Sequence, residues 1–164
     1  MPVRKRYCEF TGRGQLLPLW QKRGKFHRQF PGKNNQMNYK GVIIEESLEN
    51  KDILNKISIL ATKKEIVTEK HKTPWIRQWT LHTVEIDLDS AEEIAREISK
   101  SLDSIHDWYA DFKNDKSHYV VFRNKVFKID LAKPKYRDAM EYGIKHGIPW
   151  YQLDFSPEVE EWRR

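Results

Sequence analysis

Residues His106 to Asp130 read HDWYADFKNDKSHYVVFRNKVFKID, and this stretch decides the fold class. Trp108, Ala110 and Phe112 alternate with Tyr109, Asp111 and Lys113, the two-residue period of a strand with two unlike faces. Asn114-Asp115-Lys116-Ser117 is turn chemistry, because Asn and Asp side chains bond their own backbone and tolerate left-handed angles. Tyr119-Val120-Val121-Phe122 and Val126-Phe127-Lys128-Ile129 then flank a second turn at Arg123-Asn124-Lys125. Two or three short strands follow from these patterns, and the remaining chain is expected to cover them.

Upstream, Val42-Ile43-Ile44 is apolar at consecutive positions, as a central strand covered on both sides must be. Lys51 to Ile57 is a short helix with Asn50 as its cap, and Ser58 to Thr68 is extended, with the polar second half of an edge strand; a helix running on through Leu60 is the alternative. Ile76 to Leu88 is the longest strand. Trp79 and Leu81 share one parity while Val84, Ile86 and Leu88 share the other, which places a bulge near His82-Thr83. Ser90 and Glu93 form a capping box ahead of Ala91, Ile94, Ala95, Ile98 and Leu102 at helical spacing. Downstream, Pro134 opens a helix whose stripe is Tyr136, Ala139, Met140 and Ile144, stopped by Gly147 and Pro149. Trp150 to Phe155 reads as a short strand or a packed extension.

The order from residue 38 is therefore β-α-β-β-α-β, then a hairpin and a third helix. This is an α+β chain with a ferredoxin-like core, in which both later helices are expected on one face of the sheet. Trp75, Trp79, Trp108 and Trp150 are expected to build much of its core.

The 164 residues make one domain large enough for a sizeable core. A single cysteine, Cys8, excludes a disulfide framework and a thiolate zinc site and fits a reducing cytoplasm. No apolar run reaches the roughly 20 residues of a membrane span. The net charge of +6 divides unevenly: residues 1–36 hold nine Lys/Arg against one acid, Glu9, and residues 37–164 hold 21 against 23. Residues 1–36 also lack hydrophobic periodicity and are broken by Gly12, Gly14, Gly24, Pro31 and Gly32. They read as a basic unstructured extension ahead of the domain at 37–164. Pro31-Gly32-Lys33 must be encoded CCN-GGN-AAR, a purine-rich run at ribosome-binding distance ahead of Met37, so Met37 is the expected natural start.

The segments TPWIRQWTLHTVEI, WYADFKND, FRNKVFKID and HGIPWYQLDF, within residues 38–155, resemble a family of small uncharacterised prokaryotic α+β proteins. That resemblance implies no activity and carries over no catalytic residues.

Function is less constrained. With helices on one face, the other face of the sheet stays open, and Tyr109, Asp111 and Lys113 would look out from it. Trp79, His82, His118 and Tyr119 would share the surrounding strands. The leading expectation is a non-catalytic binding or regulatory module that uses these seven residues to dimerise or to hold a small ligand. A second reading is nucleic-acid binding through the arm (Arg4, Lys5, Arg6) and a patch of Lys63, Lys64, Lys70, Lys72 and Arg77; edge-strand lysines that block aggregation explain the patch equally well. A third is an enzyme with a His82–Asp111 acid-base pair. No metal site is expected from His82, His106, His118 and Asp111, because no HxH, HxxxH or HExxH spacing occurs. With no glycine-rich phosphate loop either, no cofactor is implied.

Overall fold

The computed structural model of the chain describes residues 37–153 and Phe155. The basic arm, with Arg4, Lys5 and Arg6, lies outside these residues.

Six strands form one antiparallel sheet: β1 (Tyr39–Ile44), β2 (Ser58–Ile66), β3 (Gln78–Ile86), β4 (Tyr109–Lys113), β5 (Ser117–Phe122) and β6 (Lys125–Asp130). Their order across the sheet is β2-β3-β1-β4-β5-β6. Two α-helices complete the frame, α1 (Ala91–Ser101) and α2 (Arg137–Lys145). The fold is thus α+β, with few helices on a larger sheet than a four-stranded core. The first crossover is a six-residue 3-10 segment, Lys51–Lys56, whose start is capped by Asn50 Oδ1 accepting from Asp52 N at 2.9 Å.

Register fixes which side chains share a face. Gly41 lies opposite Val84 and Phe112, and Phe112 opposite Tyr119, so these residues form one row. Against that face packs α1, through Ala91, Ile94, Ala95 and Ile98, together with Tyr39, Ile43, Ile53, Ala110 and Val121. Val42 lies opposite Asp111, and Asp111 opposite Val120, so the next row points the other way. There Val120, Phe122 and Ile129 are covered by Ala139 of α2 and by Ile148, Leu153 and Phe155. The two helices therefore lie on opposite sides of the sheet. The expectation that both pack on one face is wrong, and β5 is buried at all six positions as a result.

Local chemistry explains most element boundaries. Asn114 Oδ1 accepts from Lys116 N at 3.0 Å and Ser117 N at 2.9 Å, closing the turn between β4 and β5. Asn124 takes a left-handed φ of 58° in the tight turn between β5 and β6. Its N–H reaches Ser99 O at 3.1 Å while Ser99 Oγ donates to Phe122 O at 2.7 Å, so α1 is pinned to that hairpin.

Four expectations need correction. The bulge lies in β2 between Ile59 and Ala61, across from Val84 and Thr83, and not in β3, which pairs with β1 in unbroken register. Ser90 makes no capping box, because its Oγ donates back to Asp87 O at 3.2 Å. Ile144 is 51% exposed and Gly143 takes its place in the buried stripe, where Leu153 fills the space above it. Trp75 and Trp150 are not core residues, being 47% and 73% exposed.

Candidate functional site

The seven residues expected on one open face are split between two faces and mostly buried. Tyr119 is 2% exposed and packs in the α1 core against Tyr39 and Phe112. His82 is buried in the row of Ile43 and bonds Thr62 Oγ1 at 2.9 Å and Glu45 Oε2 at 3.0 Å. Asp111, Lys113 and His118 do come together, on the α2 side, beside Tyr109, whose hydroxyl donates to Gln152 O. Trp79 belongs to another cluster, with its ring 5.9 Å from Trp108 and 4.5 Å from His71. Where Tyr109, Asp111 and His118 lie, the expected open face is covered by α2 and the segment through Phe155; the same face stays uncovered only further along the sheet, around Val42, Thr83 and Ala61.

The same register removes the acid-base pair. His82 sits opposite Ile43 and Asp111 opposite Val42, consecutive residues of β1 that point to opposite faces. Asp111 instead accepts from His118, Nε2 to Oδ2 at 2.9 Å, and His118 Nδ1 lies 3.0 Å from the Tyr136 hydroxyl. Asp111 is 3% and His118 1% exposed. Burial, together with the Asp111 carboxylate, holds the Tyr136 phenol above its ordinary pKa. A neutral phenol there satisfies His118 and is no activated nucleophile. Lys113 is pushed down by desolvation, with Asp111 partly offsetting the shift. This network satisfies polar groups under α2 and offers a substrate no access to the imidazole. Sequence reasoning missed Tyr136 as a polar partner, because its place in the apolar stripe concealed the hydroxyl.

The histidines each have their own partners: Glu45 and Thr62 for His82, Asp103 for His106, Asp111 and Tyr136 for His118. Among the described residues no three His, Cys, Asp or Glu side chains could hold a metal ion. Nor is any described helix long and apolar enough to cross a membrane.

A concavity of about 980 Å³ opens between the start of α1 and the β5–β6 edge. Tyr39 and Ser117 lie in it, their hydroxyls 2.6 Å apart, with Asp89, Glu92, Asp115 and Asp130 set against Lys116 and Lys128. Of the seven expected ligand residues only Tyr119 lines it.

The other end of the sheet is built differently. Lys63 and Lys64 of β2 lie opposite Leu81 and Thr80, at the start of β3, and both lysines are exposed. The connection between these strands carries Lys70, Lys72 and Arg77, also exposed, and Lys72 holds a left-handed φ of 55° that turns the chain. Three exposed aromatic side chains belong to the same end: Trp75 at 47%, Trp150 at 73% and Tyr151 at 48%. Gln152 Nε2 donates to His71 O at 3.1 Å, which docks the 3-10 segment Trp150–Gln152 on the Glu69–His71 turn. Trp75 lies flat on His106, ring centroids 4.0 Å apart and planes 9° from parallel. His106 is held in turn by Asp103, Nδ1 to Oδ2 at 2.6 Å. Burial acts to raise the Asp103 carboxyl, but the Ile105 N–H and His106 outweigh it and hold the group below its ordinary range. Five exposed cations therefore belong to the sheet end that carries the exposed rings, Lys63 among them being paired with Glu65 Oε1 at 2.5 Å. The sequence signal for the cations was plain; the exposure of Trp75 and Trp150 was hidden, because a tryptophan in a small domain is usually core.

No family model, curated protein or solved structure matches the chain.

Proposed function

We propose that this chain is a binding module for single-stranded nucleic acid and that the surface around residues 63–77 and 150–151 is its interface. One observation carries the reading: Trp75, Trp150 and Tyr151 stand 47–73% exposed beside the exposed Lys70, Lys72 and Arg77. Cations that track phosphates and rings that stack on bases are the two components such surfaces combine. An edge strand protected by lysines accounts for Lys63 and Lys64, but it gives no reason for two tryptophans to face water at the same end. The recognition is sequence-tolerant in its main part, since every base has a π-face.

The order β2-β3-β1-β4, with Ile53 of the first crossover and α1 in one core, supports reading those four strands as a ferredoxin-like unit extended by β5, β6 and α2. In that reading the interface lies at a sheet end and not on the central strands, where Val42 and Thr83 offer no aromatic platform.

Fluorescence anisotropy with a labelled oligonucleotide on the full chain tests the proposal. Trp150→Ala should weaken binding by about 5- to 150-fold, the equivalent of 1–3 kcal/mol for one stacked base. Reversing Lys70 and Lys72 to Glu should weaken it at low salt and flatten its dependence on salt. Binding that survives both changes, and disappears only when Arg4, Lys5 and Arg6 are reversed, would move the interface to the arm and rule out the sheet-end surface.

A further inference from the structure

Trp108 is 9% exposed, and its indole Nε1 is a buried side-chain donor with no hydrogen-bond partner. Folded interiors pair nearly all such groups, and leaving one unpaired costs stability. Trp79, its neighbour, shows the ordinary solution, with Nε1 donating to Thr73 Oγ1 at 3.1 Å. The orphan sits in the aromatic cluster beneath the proposed interface: the Trp75 ring stands edge-on to Trp108 at 6.4 Å and lies flat on His106 at 4.0 Å. Trp75 is the most exposed ring of this group, and among the described residues its side chain makes no hydrogen bond. The His106 ring beneath it is fixed by Asp103.

We infer that Trp75 holds the place of a nucleobase: a base displaces it from the His106 ring, and Trp108 Nε1–H donates to a carbonyl oxygen of that base. This rests on the nucleic-acid reading above and adds a selectivity to it. One planar ring replaces another on the same platform, so the exchange removes no stacking, while a donor without a partner gains one. Adenine has no carbonyl oxygen, and thymine has two. The site therefore favours carbonyl-bearing bases, and an indole that can only donate is what imposes the preference.

The test uses the full chain with three probes: a thymidine 12-mer, a deoxyadenosine 12-mer and an abasic strand of equal length. Trp108→Phe keeps an aromatic ring and deletes the donor together with part of the indole's volume. It should lower affinity for the thymidine strand about tenfold, a 1.4 kcal/mol effect, and leave the deoxyadenosine and abasic strands unchanged. In the wild-type protein the Trp108 indole N–H resonance should move downfield on adding the thymidine strand and stay still with the abasic one. An unmoved resonance, or a Trp108→Phe variant that binds thymidine as wild type does, overturns the inference. If Trp150→Ala and the Lys70/Lys72 reversal still weaken binding in that case, the interface stands and only the role of Trp108 falls. No binding of any strand removes both.

Discussion

Replacing His118 with Leu would take from the Asp111 carboxylate, 3% exposed, its hydrogen-bond donor and leave it only the charge of Lys113. Breaking a buried ion pair or charge-assisted bond from one side costs about 3–5 kcal/mol, because the remaining charge keeps its desolvation penalty and loses its compensation. The Tyr136 hydroxyl loses His118 as well, but Tyr136 is only partly buried and can turn to water. A domain of this size holds roughly 5–15 kcal/mol in total, so this one change removes a large share. With a urea slope of about 1–3 kcal/mol/M, the unfolding midpoint should fall by on the order of 2 M. Asp111→Leu alone leaves a buried imidazole N–H unpaired and should cost about 1–3 kcal/mol. The double variant Asp111→Leu/His118→Leu removes both polar groups from under α2 and should return to within about 1–2 kcal/mol of wild type. Urea denaturation followed by far-UV circular dichroism reads all three. Were the double variant as unstable as the two single losses added together, burial of an uncompensated charge would not be the cause, and the account of this network would be wrong.

Gly41→Ala would place a Cβ 2.2 Å from Asp111 O and 2.7 Å from Phe112 Cβ; backbone cannot step aside, so a loss of at least about 3 kcal/mol is expected in the same assay, and wild-type stability would show that β1 and β4 are less closely apposed. Gly143→Ala brings a Cβ to 2.7–2.8 Å from Leu153, which is 1% exposed and packed in place, so a loss of about 1–3 kcal/mol, eased by up to about 1 kcal/mol of helix propensity, is expected in the same assay. The Glu45 carboxyl is held below its usual value of 4.5, first by Lys51 and then by His82. Its contribution is therefore present above pH 4.5 and lost as pH falls through the lower folded value. Glu45→Gln should lower stability by less than about 1 kcal/mol at pH 6, since the pair is partly exposed. That gap should close by pH 3 in thermal melts, and a gap that widens on acidification would reverse the assignment.

How much of this was legible in the sequence depends on the length scale of the signal. The alternation at Trp108–Lys113, the turn at Asn114–Ser117 and the helix at Ala91–Ser101 are local patterns, and the element order followed from them. The parity of Tyr109, Asp111 and Lys113 was also readable, and the register confirms that they share a face. What covers that face was not readable. The stripe on α2 says only that the helix is buried on one side; which side of the sheet receives it depends on how residues 131–136 leave β6. Asp111 and His118 looked like surface chemistry because a buried carboxylate is rare without a partner, and the partner lies on the neighbouring strand. The candidate interface reversed the usual expectation in the same way. Trp75 and Trp150 carry the composition of a core, yet Trp75 lies half-exposed on His106 and the docking of Gln152 on His71 brings Trp150 to the end that holds Lys70 and Lys72.

The position of β5 between two helices has a consequence for how the chain is made. One side of the strand is shielded by residues 91–101, already synthesised when β5 emerges, and the other by residues 137–145, which come after it. At about 5–20 residues per second, translation leaves Val120, Phe122 and Ile129 without cover for on the order of seconds. Nascent protein in that interval presents a greasy strip next to unpaired backbone, the kind of surface that chaperones shield. A message cut short ahead of Tyr136 would make the interval permanent and deliver the product to inclusion bodies or proteases.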